Sequence, residues 1–232
     1  MKKLNLNEIE LENDGNFSDY LIDNSTSDTE IEVYFRGLEE TLIKHINESA
    51  IVLGCVAWLT HPKILDALSR KECSIIVQKE DFLRPDLDSG NNWSAFLRGK
   101  YDKLKCTLTR YEFLNLLPKI SYASDPTMDP IRCVGNHNKE KQAAFPRMHN
   151  KFLVFGNLEQ TTSNGQIIKP YAVWTGSFNF TKNAGSSLEN AVLIKSPKIV
   201  AAYLAEFEQI AAISEPLDWT QDWCAPQWRI GS

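Results

Sequence analysis

Met148-His149-Asn150-Lys151-Phe152-Leu153-Val154-Phe155 is the stretch on which the fold turns. It is apolar from Phe152 onward and reads as a β-strand. Successive side chains of a strand point to opposite faces, so His149 and Lys151 project together from one face. Met148, Phe152 and Val154 occupy flanking apolar positions and anchor the strand. A nucleophilic imidazole beside a fixed ammonium suits attack on a phosphate: the ring supplies the electron pair and the cation holds an oxygen. Farther along, Thr175-Gly176-Ser177-Phe178-Asn179-Phe180-Thr181 contains a Gly-Ser-x-Asn turn that offers further donors.

Outward from this strand the chain alternates helix and strand. Phe35, Leu38, Leu42 and Ile46 recur at helical spacing and predict a helix from Tyr34 to Glu48. His45 within it is expected to be a surface or internally satisfied histidine. Ala50 to Leu59 is a nearly continuous apolar run, as in a strand covered on both faces. Pro62 suits a first helical position, and Ile64, Leu65 and Leu68 give that helix a buried side. Ser74 to Gln78 reads as the next strand, Trp93 to Leu104 as a helix and Ile131 to Val134 as a strand. The motif strand is expected to end near Gly156. Glu159 to Lys169, with Ser163-Asn164-Gly165, reads as a hairpin connection to a strand at Tyr171–Thr175. A strand at Asn190–Lys195 follows. A helix from Pro197 to Ile213 comes next, with Ile199, Val200, Tyr203, Leu204, Phe207 and Ile210 inward. This rhythm predicts a layered α/β domain over 31–213. Residues 1–30 form an acidic arm, and 214–232 a tail carrying Trp219, Trp223 and Trp228.

The chain has 232 residues, of which 43% are hydrophobic, enough for a substantial core. A formal charge of -5 argues against a general, charge-driven nucleic-acid binder but leaves room for a local basic groove. Lys139, Lys141, Arg147 and Lys151 cluster around the motif with only Glu140 opposing them. They make either a solvated loop or a phosphate-attracting patch. The cysteines, at 55, 73, 106, 133 and 224, are odd in number and lack metal-site spacing, so Cys55 and Cys73 are expected to pack in the core and the compartment to be reducing. The start, Met1-Lys2-Lys3-Leu4-Asn5, has no apolar run behind it, and no segment is long enough to span a membrane. A soluble, cytoplasmic protein without metal or other cofactor is expected.

Three blocks carry a resemblance: His149-x-Lys151, Gly176-Ser177-Phe178-Asn179 and Glu189-Asn190-Ala191. Their order and spacing resemble the signature of the phospholipase D superfamily, with the nearest likeness in its small bacterial endonucleases, which carry one motif per chain. The resemblance takes in most of 30–213 and implies a mixed β-sheet flanked by helices on both faces. One position departs: Gly156 stands where the superfamily usually has an aspartate, with Glu159 nearby as a substitute. The resemblance implies that His149 forms a phosphohistidine, that Lys151 and Asn179 hold phosphate oxygens, and that Glu189 orients the histidine ring. Ser177 is expected to add a donor, Gly176 to let the chain approach the phosphate, and the next residues to open a helical turn. Arg147 and Lys141 would bind substrate. With one motif per chain, the second histidine is expected from another copy, in a homodimer. The implied activity is metal-independent cleavage of DNA or RNA, in a setting such as defence against foreign DNA. A phospholipid hydrolase and a catalytically degenerate nucleic-acid-binding protein are the competing functions.

Overall fold

The run Ile51–Val56 is buried at every residue because it is paired on both sides, parallel to Glu72–Gln78 and antiparallel to the motif strand. A computed structural model describes this sheet and its surroundings over residues 23–80, 83, 92–107, 128–135, 146–160 and 166–217. In chain order the elements are β1 (Thr26–Ser27), β2 (Ile31–Tyr34), α1 (Leu38–Glu48), β3 (Ile51–Val56), α2 (Pro62–Leu68), β4 (Glu72–Gln78) and α3 (Asn92–Tyr101). They continue with β5 (Ile131–Val134), β6 (Lys151–Gln160), β7 (Gln166–Gly176), β8 (Ala191–Ile194), α4 (Pro197–Ala212) and β9 (Glu215–Pro216). The strands make one mixed sheet in the order β1-β2-β8-β7-β6-β3-β4-β5-β9. β3, β4 and β5 run parallel, and the remaining pairings are antiparallel.

Alternation along the strands divides the apolar residues into two layers. Val52, Val56, Ile75, Val77, Leu153, Phe155 and Trp174 face α1, α2 and α3, meeting Leu42, Ile46, Ile64, Leu65, Leu68 and Leu97. Leu53, Cys55, Ile76, Phe152, Val154 and Val173 face α4, which presents Val200, Leu204, Phe207 and Ile210. The fold is thus α/β, a mixed sheet with helices on both faces. Full burial of a side chain such as Phe207 contributes about 1.5–3 kcal/mol. Cys55 and Cys73 lie in these layers, as their apolar flanks suggested.

Three local differences from the sequence reading have physical causes. Helix α1 begins at Leu38, not Tyr34, because Ile31–Tyr34 is taken up by pairing with β8 and the chain turns through Gly37 at φ 59. β6 does not stop at Gly156; it passes an irregularity between Phe155 and Gly156 and continues to Gln160, drawing β7 back to Gln166. Ile199 is 39% exposed, because the inward stripe of α4 is set by Val200, Leu204 and Phe207, a phase that leaves residue 199 outside. His45 is half-buried, with Glu48 at 3.5 Å and its ring near Trp174, in keeping with the second of the two expectations for it. Strands β1 and β9 place residues 26–27 and 215–216 in the same sheet as the central domain. Residues 1–22 of the arm, the hairpin turn at 161–165, His137 and the three tail tryptophans lie outside the described residues.

Candidate active site

The site residues share one end of the sheet because of strand direction. Val56 pairs with Lys151 and with Val77, Phe152 with Thr175, and Gly176 with Ala191, so β3, β4 and β7 finish where β6 and β8 begin. The connecting segments are knitted there by backbone bonds. Ala57 N–H donates to Asn150 O at 2.8 Å, and Phe180 N–H to Trp58 O at 3.1 Å. Thr60 and His61 both donate to Phe180 O at 2.8 Å. These bonds hold Asn179 beside the end of β3.

Met148 is buried on the α4 side, and the extended chain then turns His149 outward. Lys151 projects on the same side, as period two requires. Its Nζ lies 3.2 Å from His149 Nδ1 and 3.4 Å from Nε2, and donates to His149 O at 3.0 Å. An ammonium has no acceptor, so it can donate only to whichever ring nitrogen is unprotonated, one of the two in a neutral ring. Partial burial lowers the His149 pKa from its ordinary value, and the Lys151 and Arg147 charges lower it further, against an opposing pull from Glu80. Burial also lowers the Lys151 pKa, while Glu189 pulls it up. The imidazole is therefore biased toward its neutral, nucleophilic form near pH 7.

The remaining expected residues divide. Glu189 accepts the Ser177 hydroxyl hydrogen and acts on Lys151 through its charge. Among the described residues it makes no hydrogen bond to the His149 ring. Ser177 uses its N–H on Asn190 O at 3.1 Å and its hydroxyl on Glu189, while its Oγ accepts Asn190 N–H at 3.1 Å. Within the chain it therefore locks β7 to β8, a different task from the substrate donor expected. Gly176 is required by its neighbour strand: a Cβ there would lie 2.2 Å from Asn190 O. The chain bends at Ser177 and reaches a bridge between Leu59 and Phe180, and the helical turn expected at Ser177 comes only at Asn183–Ser186. Asn179 is half-buried, and its Oδ1 is enclosed without a partner among the described residues. Arg147 is half-buried and ion-paired with Glu80. Lys141 lies outside the described residues.

The family described as "Cardiolipin synthase, PLD-like domain" matches residues 21–211. The chain belongs to this phospholipase D-like family. A relative, the uncharacterized protein L381 of Acanthamoeba polyphaga mimivirus, is 34% identical over 232 residues, covering 94% of this chain and 75% of its own length. Among solved structures, NucT from Helicobacter pylori is similar over 80% of this chain and 98% of its own, at 14% identity and a TM-score of 0.49. Nuc from Salmonella typhimurium, a phospholipase D family member, covers 84% of this chain and 98% of its own, at 16% identity and a TM-score of 0.48.

The candidate site holds three residues that the sequence reading did not single out. Glu80 is 7% exposed and takes both the Arg147 guanidinium and, at 3.0 Å, the Trp58 indole N–H. Trp58 sets its ring perpendicular to the His149 imidazole, at 89° and 6.2 Å between centroids. Gln78 supports the motif from below, its Oε1 accepting Met148 N–H at 2.7 Å. A usable signal existed for Glu80: it follows the end of a parallel strand, where α/β sheets place ligand-binding residues. Gly156 is buried, and a Cβ on it would lie 3.0 Å from Ile168 Cγ2 and 3.1 Å from Ile51 Cγ2. Glu159 does not take the place of the usual aspartate, since it pairs with Lys169 at 2.5 Å. The described residues contain no group of three His, Cys, Asp or Glu able to hold a metal ion, and no helix long and apolar enough to cross a membrane.

Proposed function

We propose that this phospholipase D-like protein is a metal-independent endonuclease that cleaves DNA or RNA as a homodimer, in the cytoplasm, in a setting such as defence against foreign DNA. The observation that carries the reading is Lys151 Nζ at 3.2 and 3.4 Å from the two His149 ring nitrogens, on a ring biased toward its neutral form. A neutral ring nitrogen attacks phosphorus, and the bond from phosphorus to the leaving oxygen breaks. The departing oxygen takes a proton from a second imidazolium. Water then attacks the phosphohistidine, gives its proton to that second ring, and releases His149.

One ring cannot be nucleophile and acid for the same departure. Of the other described histidines, His45 lies at 3.5 Å from Glu48 and His61, 5% exposed, at 3.2 Å from Glu39. Neither is placed as the acid, and His137 lies outside the described residues; following the single motif per chain that the family resemblance implies, we assign the second ring to the His149 of another copy across a two-fold axis. Glu189, without a bond to its own His149 among the described residues, is then free to orient the ring of that other copy. Lys151 and the Asn179 amide stabilise the phosphoryl oxygens, Arg147 and Lys141 draw in the polyanion, and Ser177 and Gly176 shape the turn beside it.

The test is plasmid and single-stranded DNA incubated with the protein in EDTA, with sedimentation mass in parallel. Wild type is expected to cut in the chelator as a dimer. His149→Ala is expected to lose cleavage entirely while keeping its circular-dichroism spectrum and mass. Cleavage that vanishes in EDTA and returns with magnesium contradicts the mechanism. Hydrolysis of phospholipid vesicles without nucleic-acid cleavage contradicts the substrate.

A further inference from the structure

We infer that Trp58 is the stacking platform for an unpaired nucleobase next to the scissile phosphate, which makes single-stranded nucleic acid the preferred substrate. The inference rests on the nuclease reading above and adds its substrate class. Trp58 is a large apolar side chain, 36% exposed, at the end of the sheet where the nucleophile stands. Its ring lies 6.2 Å from the His149 ring, so a nucleotide whose phosphate reaches that imidazole brings an adjacent base within reach of the indole.

The ring is held before any ligand arrives. Its N–H is bonded to Glu80 at 3.0 Å, and Glu80 is itself fixed by Arg147. The Trp58 carbonyl receives Phe180 N–H at 3.1 Å. A side chain tied at its indole N–H, on a backbone tied at its carbonyl, pays little ordering entropy when it is stacked upon. The anchoring also decides what the ring recognises. Indole has a single donor and no acceptor, and that donor is taken by Glu80. Only its face remains for a ligand. Recognition by a π-face tolerates any base, so a preference for strandedness rather than for sequence follows. In a duplex each base is paired and stacked between its neighbours, and the indole can meet one only after unpairing it.

The experiment compares kcat/KM of the full chain on a single-stranded oligonucleotide and on the same oligonucleotide with tetrahydrofuran, base-less residues at every position. Wild type is expected to favour the base-bearing strand. Trp58→Ala is expected to lose about 5- to 150-fold on that strand, the equivalent of the 1–3 kcal/mol that base–aromatic stacking is worth, and to change little on the base-less one. Trp58→Phe is expected to keep most of the rate. As a direct readout, 2-aminopurine placed in the oligonucleotide is expected to be quenched on binding wild type and not on binding Trp58→Leu. Equal losses on both substrates, or no loss with unchanged quenching, overturn the platform. Wild type cutting both strands at one rate overturns it too, and leaves the nuclease reading standing if His149→Ala abolishes both. Wild type cutting neither strand overturns both.

Discussion

Lys151 stands against His149 closely enough to add to the effect of burial on the protonation of the ring, the property on which the proposed nucleophilic attack depends. The sign follows from the charges. Burial comes first, then the Lys151 and Arg147 cations, each disfavouring the imidazolium; Glu80 favours it. The His149 midpoint is thus below the ordinary value of about 6.5, and the acid limb of the pH–rate profile should lie there. Lys151→Met removes one cation and is expected to move the midpoint to higher pH, read by NMR titration of the His149 ring. Glu80→Gln should move it to lower pH. An unmoved midpoint in both variants contradicts the electrostatic assignment. The His149–Lys151 pair was legible in the sequence because period two makes neighbours of residues two apart. Glu80 was not, since Trp58 and Arg147 reach it across 22 and 67 residues of chain. Ser177 was expected as a donor to substrate; its bond to Glu189 was not legible, because it depends on the β7–β8 connection that brings the two together.

At the level of elements, the sequence was most readable where period and length agreed. The buried run of β3, the Pro62 start of α2 and the α4 stripe apart from Ile199 were found by pattern. It misled where tertiary pairing overrode local periodicity. Tyr34 continues a helical pattern yet belongs to β2, where its ring stacks on Trp174 at 5.5 Å. Gly156 shows the same limit: its chain position marked a missing carboxylate, whereas its surroundings are the methyls of Ile51 and Ile168. Gly156→Asp, which restores the residue usual in the superfamily, puts a charge into that apolar contact. It is expected to destabilise the protein by about 2–4 kcal/mol, measured by urea denaturation, from overpacking and an unpaired buried carboxylate together. An unchanged midpoint would show that the bulge between β6 and β7 can open to water at little cost.

For the whole molecule, the proposed mechanism makes a single motif at one end of a mixed sheet one half of a two-histidine reaction. The overall charge of -5 does not draw in a polyanion, so attraction must be local, from Arg147, Lys151 and the lysines that precede them. In the proposed dimer, two copies meeting at that end would double the local cations as well as the rings. The most direct measurement of this claim is cleavage in chelator by wild-type chains coexpressed with a growing excess of His149→Ala chains. Where each phosphate needs a ring from both copies, only wild-type pairs cut, and activity per wild-type chain should fall to about half at equal amounts and about a tenth at ninefold excess. Activity per wild-type chain that holds constant across the series would mean that each polypeptide cuts alone, and would contradict the shared site.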